Sequence, residues 1–298
     1  MARILLVSIF FFITTKALAS SCCGQSNSGV PLLSMGQEFF LSSSLSHSES
    51  IGRVYSGEEF FVWDGKQRSQ QSLSLNSAAM INDRSQWAFT TAVVTGSFTD
   101  NNQSSSRTHL ADSSLVYTYE VLPEYEYSKW KPVVYLSGLV NLPTGNSIYS
   151  ESNLSEGADV TGFDQWGAGF VLSLKKAYFP LQIISQFKVL KLFGRAFDQV
   201  RVSDFIDSSA SLQLSYASSF YQLSFLTGLS YSQLSERRIS PGSRSEKSES
   251  TSVNLGIQRS FANETAISLN YSDQTWLGKP QNTILGKSIS LNFQKNYY

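Results

Sequence analysis

Cysteine is almost missing from this chain of 298 residues: Cys22 and Cys23 are the two there are, and they are adjacent. Neighbouring cysteines cannot staple a distant loop, so no disulfide framework holds the fold. Charge is sparse too. Asp, Glu, Lys and Arg make up 15%, where an ordinary soluble domain has about 25%. Basic and acidic residues balance at 23 each, so no basic excess exists to neutralise nucleic-acid phosphates. Past the first 20 residues no apolar run approaches the ~18 of a transmembrane helix. Histidine is limited to His47 and His109, and no Walker, zinc or Rossmann spacing appears. No cofactor and no metal site are expected.

What is present is aromatic and hydroxylic. Phe, Trp and Tyr reach 13%, too rich for a disordered chain. Ser stands at roughly 18%, an excess that few enzymes show.

The N-terminus has the build of a secretory signal. Arg3 supplies a positive start, Ile4 to Thr15 form a short apolar stretch, and Ala17-Leu18-Ala19 is a small-x-small cleavage site. The stretch is shorter than the ~20 residues of a membrane-spanning helix. Cleavage after Ala19 removes Arg3 and Lys16, leaving 21 basic against 23 acidic residues, net −2. Cys22 just beyond is a candidate lipidation site, although Ala19 stands where a lipoprotein signal has Leu. A vicinal disulfide or a free thiol pair is the alternative. Residues 20–35 read as an N-terminal periplasmic tail and 36–298 as the folded body.

That body alternates. Ile289, Leu291 and Phe293 interleave with Ser290, Asn292 and Gln294, and Ile267, Leu269 and Tyr271 with Ser268, Asn270 and Ser272. Leu223, Phe225, Leu229 and Tyr231 stand opposite Ser224, Gly228, Ser230 and Ser232. Period two puts successive side chains on opposite faces of a strand. In a soluble sandwich the exposed face would carry Lys and Glu. Here it is small and uncharged, while segments of about ten residues suit a tilted strand crossing a bilayer. The expected fold is all-β: a transmembrane antiparallel barrel of about 12 strands, apolar outside and Ser, Asn and Gly inside.

Strands are predicted at 36–47, 70–79, 85–97, 112–121, 133–141, 164–174, 181–191, 207–217, 220–231, 250–259, 263–272 and 285–295. At 181–191 a basic helix is the competing reading. The connections alternate long and short, as extracellular loops and periplasmic turns do in outer-membrane barrels. Trp87, Trp130, Trp166, Tyr178 and Trp276 fall near strand ends, where interfacial aromatic girdles lie. The terminal Asn296-Tyr297-Tyr298 has the kind of aromatic ending that barrel-assembly machinery reads, but the apolar phase runs to Tyr297 rather than Tyr298.

The expected lumen-facing positions are Ser137, Gly167, Gly169, Ser224, Gly228, Ser268, Asn270, Ser290 and Asn292. The loop 48–69, with Phe60, Phe61 and Trp63, is expected to plug the mouth or to serve as an adhesive tip. Only His109 with Asp112 offers a sequence-near acid–base couple, and a pair alone is a weak catalytic sign. His47 is followed at two residues by Glu49, not by the serine that an outer-membrane phospholipase pattern would place there.

One stretch carries a family resemblance. Leu139-Val140-Asn141-Leu142-Pro143-Thr144-Gly145, with Gln165-Trp166-Gly167-Ala168-Gly169-Phe170 about twenty residues on, is similar to the central region of the outer-membrane "MetA-pathway of phenol degradation" proteins. What the resemblance implies is a transporter-like barrel passing small, apolar or aromatic solutes. The expectation is a passive channel in a Gram-negative outer membrane, with lipids, assembly machinery and small solutes as partners. A closed structural or adhesive barrel and an outer-membrane hydrolase are the alternatives.

Overall fold

The computed structural model describes residues 29–33, 36–55, 60–62, 66–100, 103–125, 128–150, 158–197, 200–218, 222–240 and 243–298. The signal peptide, Cys22, Cys23 and Trp63 lie outside them, as does the Phe61 side chain. Twelve strands form the wall: β1 (Phe39–Val54), β2 (Lys66–Asn82), β3 (Ser85–Asp100), β4 (Ser113–Leu122), β5 (Val133–Leu142), β6 (Gly167–Tyr178), β7 (Leu181–Leu192), β8 (Phe205–Ala217), β9 (Leu223–Leu234), β10 (Ser248–Ser260), β11 (Thr265–Asp273) and β12 (Thr283–Tyr297). Each pairs antiparallel with the next, and β12 returns to β1 from Phe39↔Tyr297 to Val54↔Thr283. Closure leaves no edge with unpaired backbone N–H and C=O groups, which hydrocarbon could not satisfy.

The facing follows from alternation. Along β1, Leu41 and Leu45 are exposed while Phe40, Ser42, Ser44 and Ser46 are buried. Along β12, Ile289, Leu291, Phe293 and Tyr297 are exposed. Ile289 to Tyr297 is eight residue steps, about 27 Å along the strand at ~3.4 Å each. A tilt of about 40° reduces this to about 21 Å, near the ~25 Å apolar band of outer-membrane barrels. Aromatics frame the band. At the short-turn end Phe39 packs on Tyr297 across the seam at 5.6 Å and Trp87 on Tyr117 at 5.0 Å. At the other end Tyr271 meets Trp276 at 5.8 Å.

Residues 181–191 form β7 rather than a helix. Four long loops hold more sheet than the sequence suggested. His109, expected in a loop, lies on a strand, Gln103–Leu110, that folds back along β3. Thr95 and Thr108 share a hydrogen bond at 2.9 Å there, and Ser97 donates to Ser106 at 3.2 Å. Small hydroxyl pairs across two strands zip a hairpin beyond the membrane. Arg195–Phe197, Val200–Val202, Arg237–Ser240 and Ser243–Ser245 make a separate four-stranded sheet over the long-loop end.

Of the loop 48–69, the expectation for Trp63 and for the Phe61 side chain lies outside the described residues, and Phe60 is described. Phe60–Val62 pairs outward along Gly52–Val54, and Phe60 is 46% exposed. Its backbone extends the β1–β2 hairpin, which holds it in line with the wall. Two other segments occupy the interior: residues 158–163 and residues 29–33.

Candidate functional site

Among the described residues, cavities lie along the barrel interior. At the long-loop end one of about 390 Å³ is bordered by Ser209, Gly228, Ser230, Ser252, Asn270, Ser272 and Ser290. A central one of about 560 Å³ is bordered by Ser42, Ser44, Ser72, Asn76, Ser268 and Asn292. A third of about 980 Å³ lies at the short-turn end, against Arg84, Glu120, Glu124, Tyr135 and Lys175.

The hydroxyl and amide groups of the wall bind one another across strands. Ser46 and Ser72 share a hydrogen bond at 2.7 Å, Ser230 and Ser252 one at 2.6 Å, and Ser232 and Ser250 one at 2.7 Å. Asn292 donates to Ser268 at 3.2 Å. Such pairs keep the lining polar but uncharged. Three charged groups border the central cavity: Lys188 donates to Asp207 at 2.7 Å, and Asp112 is bound by the amides of Gly145 and Phe163.

The lining has two characters, and the sequence showed only one of them. The wall from β10 round to β2 is hydroxyl and amide. From β3 to β7 apolar residues are added, Ala88, Val116, Leu139, Val171 and Leu190, which join one buried cluster with Phe40 and Ala78 among buried polar groups such as Gln86, Thr118 and Gln186. In β5 both faces are apolar: Leu136 and Val140 point out while Tyr135 and Leu139 are buried. Alternation therefore carries no sign of a lumen in this sector.

The nine anticipated lumen positions separate into two groups. Gly228, Asn270 and Ser290 line the cavity at the long-loop end, and Ser268 and Asn292 the central one. Ser137, Gly167, Gly169 and Ser224 share the inward parity of their strands but border none of the three cavities. Ser137 is 1% exposed and shares a hydrogen bond with Thr118 at 2.8 Å. At Gly169 a Cβ would sit 2.2 Å from the Val189 carbonyl oxygen, and at Gly167 3.0 Å from the Leu190 and Leu192 side chains. These glycines serve close packing against β7, not lumen space.

Residues 158–163 enter from the long-loop end. Ala158 and Asp159 are buried, Thr161 donates to the Leu110 carbonyl at 2.6 Å, and Phe163 stacks edge-on to Phe205 at 5.3 Å. Gly162 and Phe163 border the central cavity. Asp112 fixes this fold by accepting the Gly145 amide at 2.9 Å and the Phe163 amide at 2.7 Å. Above it, Arg237 lies between Tyr149, at 5.6 Å, and Phe205, at 5.2 Å, tying the outer sheet to the mouth. Burial raises the Tyr149 phenol above its ordinary value, with Arg237 opposing.

Residues 29–33 occupy the short-turn side. They belong to the stretch 20–35 expected as a periplasmic tail, and Leu32 and Leu33 are 3% and 4% exposed. The reason is local: Val30, Leu32 and Leu33 are apolar, and they fill the apolar sector of the wall. At the rim below, Lys176 and the Ser128 amide bind Glu124 and hold its carboxyl below the usual carboxylate range.

The structure does not join His109 and Asp112 into an acid–base couple. His109 is exposed and pairs across from Val94, while both Asp112 oxygens serve loop amides. His47 bonds Glu49 at 3.1 Å on the outer face of β1.

No family profile and no curated protein sequence matches this chain. Solved structures do. The COG4313 outer membrane channel from Pseudomonas putida F1 superposes with a TM-score of 0.67 at 13% identity, covering 90% of this chain and 97% of that one. The transport unit of the autotransporter AIDA-I from Escherichia coli gives 0.49 at 10% identity, over 92% and 94%. The P. putida toluene transporter TodX gives 0.41 at 10% identity, over 88% and 90%. The first of these likenesses agrees with the closed twelve-stranded wall: the chain has the fold of an outer-membrane β-barrel.

Proposed function

We propose that this protein is a passive channel that carries small uncharged solutes across a bacterial outer membrane. The observation behind this reading is the lumen: cavities of about 390 and 560 Å³ that share Ser48 and Ser288 in their walls, lined by hydroxyl, amide and apolar groups with the Lys188–Asp207 charges paired. A lining whose few charged groups are engaged, Lys188 with Asp207 and Asp112 with two loop amides, discriminates weakly between ions, and its apolar groups accommodate a solute with an apolar part. The COG4313 channel, similar in fold, is described as a channel. On this reading the first 19 residues are a signal removed on export, lipid contacts the apolar band, and the terminal strand ending in Tyr297 and Tyr298 is presented to the assembly machinery.

No enzymatic role is proposed, because Asp112 and His109 are engaged or placed apart as described. Planar-bilayer recording of the purified barrel tests the channel. Discrete current steps with a reversal potential near zero in a salt gradient support it. A membrane that stays sealed at high protein loading, for the wild type and for variants that clear the lumen, overturns it in favour of a structural barrel.

A further inference from the structure

Residues 29–33 separate the cavities. Val30 and Pro31 border the central one, and Leu33 borders the one at the short-turn end. The two cavities share no lining residue, whereas the central cavity shares Ser48 and Ser288 with its outer neighbour. The segment lies where the path would otherwise run through.

Its seat is built from two wall glutamines and an apolar floor. Gln86 donates Nε2 to the Pro31 carbonyl at 2.6 Å and accepts the Leu33 amide at 2.9 Å. Gln186 donates Nε2 to the Val30 carbonyl at 3.1 Å and to Ser173 at 3.1 Å. Leu33 belongs to the buried cluster with Phe40, Ala88 and Val116, and Val30 packs against it. Gln86 and Gln186 are only 3% and 9% exposed. A buried amide donor left without an acceptor costs free energy, so whatever replaces the segment has to offer one. It also has to fill an apolar space.

We infer that this sector of the lumen is a binding site whose built-in occupant is residues 29–33. The segment holds the path shut until an apolar solute bearing a carbonyl or hydroxyl acceptor takes its place. Solute and segment compete for the same donors and the same floor, so their occupancies exclude one another. The inference rests on the channel reading and sharpens it by naming the solute class.

Leu33→Asp puts a charge on the apolar floor and should unseat the segment without touching a wall strand. In planar bilayers the variant is expected to be open about tenfold more of the time than the wild type, the population shift that follows loss of one buried leucine. Adding N-acetyl-Val-Pro-Leu-Leu-amide should close the variant again, and N-acetyl-Ser-Gly-Ser-Ser-amide should not. In wild-type micelles the Leu33 amide should exchange at least about tenfold more slowly than in a free peptide.

Equal open times in wild type and variant overturn the inference and leave the channel reading standing. Sealed membranes for both overturn the two together. An unprotected Leu33 amide overturns the seating whatever the currents show. A tetrapeptide without effect on the open variant removes the binding site.

Discussion

The Asp112 carboxylate accepts the Phe163 amide at 2.7 Å across 51 residues of sequence. The same carboxylate takes the Gly145 amide, so both ends of the loop 143–166 hang on one side chain at the mouth. Hydrogen bonds to a charged group are worth about 1.5–3 kcal/mol each. Asp112→Ala should therefore release residues 158–163 from the lumen while the wall stays closed. Faster amide exchange at Gly145 and Phe163, with an unchanged melting temperature of the barrel, is the expected result.

Gly169→Ala should damage the barrel out of proportion to its single methyl. The new Cβ meets the Val189 carbonyl, part of the β7 backbone, which cannot rotate away. Overpacking of this kind costs about 1–3 kcal/mol. A lower urea midpoint in lipid vesicles checks it; Gly138→Ala, where a Cβ meets nothing within 4 Å, should stay close to wild type.

The Lys188–Asp207 pair sets ion preference by cancelling itself. Lys188→Met leaves Asp207 unpaired beside Asp112 in the central cavity and should shift the reversal potential toward cations. Asp207→Asn leaves Lys188 unpaired and should shift it toward anions relative to the wild type. Opposite signs for the two variants are expected from single-channel currents in a salt gradient.

Acid should loosen one loop contact in a narrow range. Lys191, and then the Gly194 amide, hold the Asp204 carboxyl below its ordinary value. A lowered folded pKa gives stability that is complete above the unfolded value, about 3.9, and is lost as pH falls through the folded one. The Gly194 amide should thus keep its exchange protection down to about pH 4 and lose it below. Asp204→Asn should show no such step. The effect is small, since both side chains of the pair are about half exposed, at 53% and 51%.

How much of this was legible depended on the strand. In β11 and β12 the outer residues Leu269 and Leu291 and the inner Ser268 and Ser290 differ so sharply that facing follows from period two. In β5 and β7, Tyr135, Leu139 and Leu190 face inward yet look like lipid-facing residues, so the apolar sector stayed hidden. The occupant of that sector was hidden with it. Val30, Leu32 and Leu33 have no periodicity, and only Gln86 and Gln186, two inward amides in an apolar stretch, marked the place. In the loop 48–69 the apolar side chain of Phe60 was visible, whereas the backbone pairing of Phe60 with Val54 was not, since it depends on partners rather than on pattern.

The inside–outside assignment of the wall is tested most directly by the unfolding free energy of Leu269→Arg and Ser268→Arg in lipid vesicles. Leu269 is 46% exposed on the outer face and Ser268 6% exposed beside the central cavity. The account predicts a loss of about 2–4 kcal/mol for Leu269→Arg, the cost of arginine in mid-bilayer hydrocarbon, and a much smaller loss for Ser268→Arg together with reduced conductance. Equal losses for the two variants, or the larger one at Ser268, would contradict it.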